Sequence, residues 1–190
     1  MVKKAALLLL FVLLPASLNG WAQQPVDDEL RQLLKQTITE ASSFEDVYDA
    51  QVWLVDMSAR LEDFVADPAE RLELLRAIHQ EAQRADLLPE LVLSVIQIES
   101  RFDRFALSQV GAQGLMQVMP FWKNEIGRPD DNLTDPYTNL RYGCTILAYY
   151  LQKENQNLIR ALARYNGSLG KTQYPEKVLL AWEDHWFNLQ

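Results

Sequence analysis

The chain has 190 residues, 48% of them hydrophobic, with 18 lysines and arginines against 26 aspartates and glutamates and a net charge of −8. Such acidity argues against a nucleic-acid binder, which needs clustered Lys and Arg for phosphate contacts, and the length suits one compact domain with a short appendage. A single cysteine, Cys144, excludes an internal disulfide and reads as a small buried core residue rather than a reactive thiol.

Residues 2–22 read as an export signal. Lys3 and Lys4 supply the charged start, Ala5 to Leu14 the apolar run, and Gly20 and Ala22 a small-x-small cleavage site before Gln23. The run is too short to span a bilayer comfortably, and no cysteine stands at the cleavage site to carry a lipid. The expectation is a periplasmic or secreted protein, cut near Ala22 and not a lipoprotein.

Residues 23–66 read as an N-terminal helical extension. Leu30, Leu33, Leu34 and Ile38 recur at helical spacing across Glu29 to Ala41. Val47, Trp53, Leu54, Met57, Leu61 and Phe64 do so across Phe44 to Phe64, with Ser43 and Asp46 resembling a capping box. The simplest reading is a helical hairpin packed on the domain that follows, with Trp53 in its core. The functional alternative is an arm that binds a protein partner. Asp67-Pro68-Ala69-Glu70 is a strong helix start, with an N-cap acceptor, proline at the first helical position and an acid three residues after the cap. This helix should run to about Ala85 with Leu72, Leu75, Ile78 and Ala82 inward, and its lone His79 reads as structural.

Leu88-Pro89 opens a second helix, apolar at nearly every angle from Leu91 to Ile98 and so buried on all sides. Glu99 closes it. A carboxyl placed there loses water, which disfavours the charged form and raises its pKa toward the range of a general acid. Asp103, four residues on, would share its face if the helix continued, but a pair so close would couple strongly; Asp103 reads as a loop anchor. Beyond it, Gly111 and Gly114 permit tight turns, and the Gln117 amide sits on an apolar segment where a sugar hydroxyl or N-acetyl group could partner it. A short hairpin is expected over residues 111–118.

Residues 127–135 form a polar loop with Asp130, Asp131 and Asp135, without the spacing of a calcium loop. Asp135-Pro136 then starts a helix running to Lys153, with Leu140, Gly143, Ile146, Leu147 and Tyr150 facing in. A helix over Leu158 to Tyr165 delivers Tyr165-Asn166-Gly167-Ser168, which reads on its own as an ordinary helix end. Pro175 opens the last helix, bearing Val178, Leu179, Trp182 and Trp186.

Glu99-Ser100, Phe102, Ser108, Gly111-Ala112, Gly114-Leu115-Met116-Gln117 and Met119-Pro120 together resemble the core of the lytic transglycosylases of the soluble, SLT-domain type. Asn132-Leu133, Asp135-Pro136, Asn139, Gly143 and Leu147 continue the likeness. So do Tyr165-Asn166, where Arg164 and Gly167-Ser168 depart from the family's Ala-Tyr-Asn-Ala-Gly pattern, and Tyr174 with Lys177-Val178. The resemblance implies a mainly α, lysozyme-like fold over residues 67–190 and cleavage of peptidoglycan glycan strands. It makes Glu99 the catalytic residue and places Ser100, Ser108, Gln117, Met119, Tyr165, Asn166 and Tyr174 on the substrate side. No metal or organic cofactor is implied. Two alternatives stay open: a hydrolase of related fold, and a non-catalytic glycan-binding scaffold. A cell-wall or secretion-machinery protein is the expected partner of the N-terminal helices.

Overall fold

The computed structural model of the chain describes residues 47–187. The expected export signal, the helix over Glu29 to Ala41 and the Ser43–Asp46 cap lie outside the described residues.

Seven α-helices and a closing π-helical turn follow one another: α1 Val47–Leu61, α2 Pro68–Arg84, α3 Pro89–Glu99, α4 Trp122–Ile126, α5 Pro136–Lys153, α6 Leu158–Tyr165, α7 Gln173–Ala181 and the turn Trp182–Trp186. Among the described residues the architecture is mainly α, as expected. Three helices start where a polar side chain replaces the missing backbone acceptor. Asp67 accepts from the Glu70 amide and Asp135 from the Thr138 amide, each followed by proline, and Asn157 accepts from the Arg160 amide.

α3 is the axis of the molecule. Leu91, Val92, Leu93, Val95 and Ile96 are all buried, each worth about 2 kcal/mol of removed apolar surface. α2 packs along one side of α3, and α7 with the π-helical turn along the other. α5 backs α2 and carries α6. The expected inward residues Leu72, Leu75, Ile78, Ala82, Leu140, Ile146 and Leu147 are buried, as is Cys144. His79 is buried too, edge-on to Trp53 with ring centroids 5.0 Å apart. Burial lowers its pKa to about 4, so it packs as a neutral ring.

α1 belongs to the same core. Trp53, Leu54, Met57 and Leu61 are buried among the residues of α2 and α3, and Trp53 Nε1 donates to Glu90 Oε1 at 2.7 Å. The Arg60 guanidinium reaches the carbonyl of His185 at 2.8 Å, tying α1 to the last turn. The part of the apolar stripe that falls on α1 thus packs into the domain, as the simpler of the two readings expected.

Three expectations need correction. The hairpin over 111–118 is reduced to two isolated bridges, Leu107 with Gln113 and Gln113 with Val118, because positive φ at Gly111, Gly114 and Gln117 keeps turning the chain. The last helix begins at Gln173, with Pro175 inside its first turn, where a missing N–H costs nothing. α4 was not expected: it spans five residues and has no side-chain cap to announce it. No described helix is long and apolar enough to cross a membrane.

Candidate active site

The chain breaks sharply after Glu99. Arg101 and Phe102 are both left-handed, at φ +51° and +67°, a conformation that costs non-glycine residues about 1–2 kcal/mol each. Burial of Phe102 offsets it. That ring packs against Phe64 at 5.1 Å and Trp186 at 5.6 Å between centroids. The helix thus stops at the acid instead of carrying Asp103 onto the same face, and Asp103 Oδ1 accepts from the Phe105 amide at 2.8 Å as a loop anchor.

The loop over 113–116 is held by side chains from several elements. Ser100 Oγ donates to the Leu115 carbonyl at 2.8 Å. Asn139, fully buried on α5, accepts from the Met116 amide and donates to the carbonyls of Gln113 and Leu133, all within 2.7–2.8 Å. Gly143 has no side chain because Met116 occupies the space where a Cβ would stand. Tyr165 closes the set, its hydroxyl donating to the Met116 carbonyl at 2.7 Å. Polar groups at the end of α3, on α5 and on α6 therefore converge on Gln113, Leu115 and Met116 of the loop.

Glu99 is half-buried at the mouth of this arrangement. Burial raises its pKa to about 7, against the opposing pull of Tyr174, whose hydroxyl donates to Oε1 at 2.7 Å. The ionisation of Tyr174 is itself pushed well above the ordinary value, by burial first and by the charge of Glu99 next. At neutral pH the pair is a neutral phenol against a carboxyl poised between its two forms, which is what a group that must give and then take a proton requires.

An open cleft of about 370 Å³ begins at this carboxyl. Ile98, Glu99 and Tyr174 form its floor; Asn166, Ser168 and Gln173 add neutral hydrogen-bonding groups, and Lys171 and Lys177 add two cations. Glu99 is the one carboxylate among these lining residues. Of the expected site residues, then, Glu99, Asn166 and Tyr174 meet along one surface. Ser100 and Tyr165 stand behind it with their hydroxyls engaged by backbone carbonyls. Gln117 spends its Nε2 on the carbonyls of Ala106 and Gly114, at 3.2 and 3.0 Å, leaving its amide oxygen as the group to offer. Ser108 Oγ accepts from the Ala112 amide at 2.9 Å and closes a turn. Met119 is half-buried outside the lining residues. Lys171 and Gln173 were missed, since they lie more than 70 residues from Glu99, one on a loop without periodicity and the other at the first residue of α7.

A second cavity, of about 130 Å³ between α2, the 102–104 turn and the start of α5, shares no lining residue with the cleft.

The model of the Transglycosylase SLT domain family matches residues 76–178. The soluble lytic murein transglycosylase of Salmonella typhimurium is 31% identical over 96 residues, 46% of this chain and 15% of that protein. A transglycosylase of Enterobacteria phage PRD1 is 34% identical over 101 residues, 50% of this chain and 37% of its own length. The match thus accounts for well under half of either relative. The X-ray structure of an inactive mutant of lytic transglycosylase Slt from Pseudomonas aeruginosa aligns with a TM-score of 0.46 and 22% identity, covering 78% of this chain and 31% of that one.

Proposed function

The chain belongs to the transglycosylase SLT domain family, and we propose that it is a peptidoglycan lytic transglycosylase in which Glu99 serves first as general acid and then as general base. One observation carries the reading: a single carboxyl lines the cleft, with its pKa raised to about 7. Glycoside hydrolysis ordinarily takes two carboxylates on either side of the scissile bond, one of them activating water or attacking the sugar. A substrate that supplies its own nucleophile, as in the transglycosylases this chain resembles, needs only one carboxyl.

The steps are those that the resemblance to the lytic transglycosylases implies. Protonated Glu99 gives its proton to the oxygen linking N-acetylmuramic acid to N-acetylglucosamine, and the bond to the muramoyl C1 breaks. The substrate's own N-acetyl group stabilises the positive centre left at C1. Glu99, now a carboxylate, takes the proton of the muramoyl C6 hydroxyl as that oxygen closes on C1, giving a 1,6-anhydro ring with Glu99 protonated again. No water is consumed, and the intramolecular attack draws on proximity instead of a second side chain. Tyr174 holds the carboxylate between the two proton transfers, Asn166 lines the cleft where sugar hydroxyl or amide groups would lie, and the Gln117 amide oxygen is a further proposed substrate contact. The substrate lies outside the cytoplasm, which agrees with the expected export signal and a periplasmic or secreted site of action. Nothing in the scheme calls for a metal or an organic cofactor.

The test is release of soluble fragments from purified peptidoglycan below pH 7 by the protein and by its Glu99→Gln variant. The reading expects release to fall by about a thousandfold in the variant, the usual scale of lost acid–base catalysis. Equal release by both would remove Glu99 from the chemistry.

A further inference from the structure

The cleft is cationic on a molecule that carries a net charge of −8. Many of the basic side chains elsewhere are engaged: Arg84 and Arg141 with Glu81, Arg160 and Arg164 with Glu154, Lys123 with the Asp131 carbonyl and Lys153 with the Tyr149 hydroxyl. Lys171 and Lys177 are the exceptions among the described lysines, with no recorded side-chain partner, and both line the cleft. Lys177 follows Tyr174 by three residues on α7, so it rises from the helix face whose tyrosine holds Glu99. Lys171 sits on the loop between α6 and α7, beside Gly170 at φ +90°. Neither ammonium pairs with Glu99, whose hydrogen-bond partner is Tyr174. Two uncommitted cations beside neutral hydrogen-bonding groups attract an anion.

The two sugars of the glycan strand differ where charge enters. The muramoyl residue carries a lactyl ether that ends in a carboxylate, or in an amide to a peptide bearing carboxylates of its own; the N-acetylglucosamine residue is uncharged. We propose that Lys171 and Lys177 form an anion subsite that binds a carboxylate on the lactyl branch, selecting muramoyl strands over uncharged chitin-type chains and setting which sugar offers its C1 to Glu99. This inference rests on the transglycosylase reading. It makes the lysines specificity determinants, not catalytic residues.

Binding is measured calorimetrically on the full chain carrying Glu99→Gln, so that no ligand is cut, with and without Lys171→Gln and Lys177→Gln together. The ligands are a peptide-free muramoyl oligosaccharide, its peptide-bearing counterpart and an N-acetylglucosamine oligomer of equal length. Loss of both lysines is expected to weaken muramoyl binding about tenfold, in keeping with hydrogen bonds to a charged group, and to leave the uncharged oligomer unchanged. Replacement of both by arginine should restore binding. Weakening of the peptide-free ligand identifies the lactyl carboxylate as the anion, and weakening of the peptide-bearing one alone identifies a stem carboxylate; either supports the subsite. Equal weakening of all three ligands, or no change in either muramoyl ligand, overturns it while leaving the transglycosylase reading intact. Failure of the Glu99→Gln protein with both lysines to bind any of the three ligands would overturn both.

Discussion

At the scale of single residues, the account turns on one proton. The folded protein raises the pKa of Glu99 from 4.5 to about 7, so the acid form needed for the first step is lost as pH rises through 7. Activity should fall over that range, and the limb should move when the opposing hydrogen bond is removed. Tyr174→Phe takes away a donor that favours the carboxylate; the expected outcome is a shift of the limb to higher pH in a pH–rate profile, and an unmoved limb would assign it to another group. The same shift bears on stability. Because the folded state holds this proton more tightly than the unfolded chain, the group's contribution is present below about pH 4.5 and is lost as pH rises through 7. Glu99→Gln should therefore melt higher than the parent at pH 8 and show no such advantage at pH 4, as differential scanning calorimetry would register. Glu99 could be picked out in the sequence because an apolar run ends on a carboxyl. Tyr174 could be picked out only by resemblance. Lys171 could not be read at all, because its meaning depends on a cleft assembled from distant segments.

At the scale of elements, the helices were legible where local chemistry fixes them. Asp67-Pro68 and Asp135-Pro136 start helices at the residues their caps dictate, and α3 ends at Glu99 as its apolar pattern runs out. The loop over 106–118 was read less well. Its form comes from Asn139 and Tyr165, which reach it from α5 and α6, and alternation along the segment itself contains no trace of them. Gly143 illustrates the coupling. An added methyl would collide with Met116, and overpacking of this kind costs about 1–3 kcal/mol. Gly143→Ala should lower the melting temperature and, by displacing the Met116 backbone that Tyr165 holds, lower activity more than a surface Ala substitution does. A stable, fully active Gly143→Ala protein would mean that the loop is not held in this way.

At the scale of the molecule, the core is continuous from α1 to the final turn. Asp67-Pro68 marks where a helix begins, but it contains nothing about which core the preceding helix joins; that is decided by pairs such as Trp53 with Glu90 and Arg60 with the His185 carbonyl. Trp53, Leu54, Met57 and Leu61 each bury apolar surface worth about 2 kcal/mol, together comparable with the whole stability of a domain, about 5–15 kcal/mol. A fragment limited to residues 67–190 is accordingly expected to lose cooperative thermal unfolding by circular dichroism, whereas a fragment that melts as sharply as the full chain would show α1 to be dispensable. The aromatic cluster of Phe64, Phe102 and Trp186 makes this packing a matter for the site as well, since it holds the turn that ends α3 at the acid.

In the proposed reaction one carboxyl does the work of two because the substrate attacks itself, and the product records which nucleophile was used. Mass spectrometry of the soluble muropeptides released from purified peptidoglycan measures this directly. Products ending in 1,6-anhydromuramic acid, one water lighter than their hydrolysed counterparts, are expected from the wild type and should be absent with Glu99→Gln. Reducing-end products from the wild type would contradict it and mean that water, not the muramoyl C6 hydroxyl, attacks in the cleft.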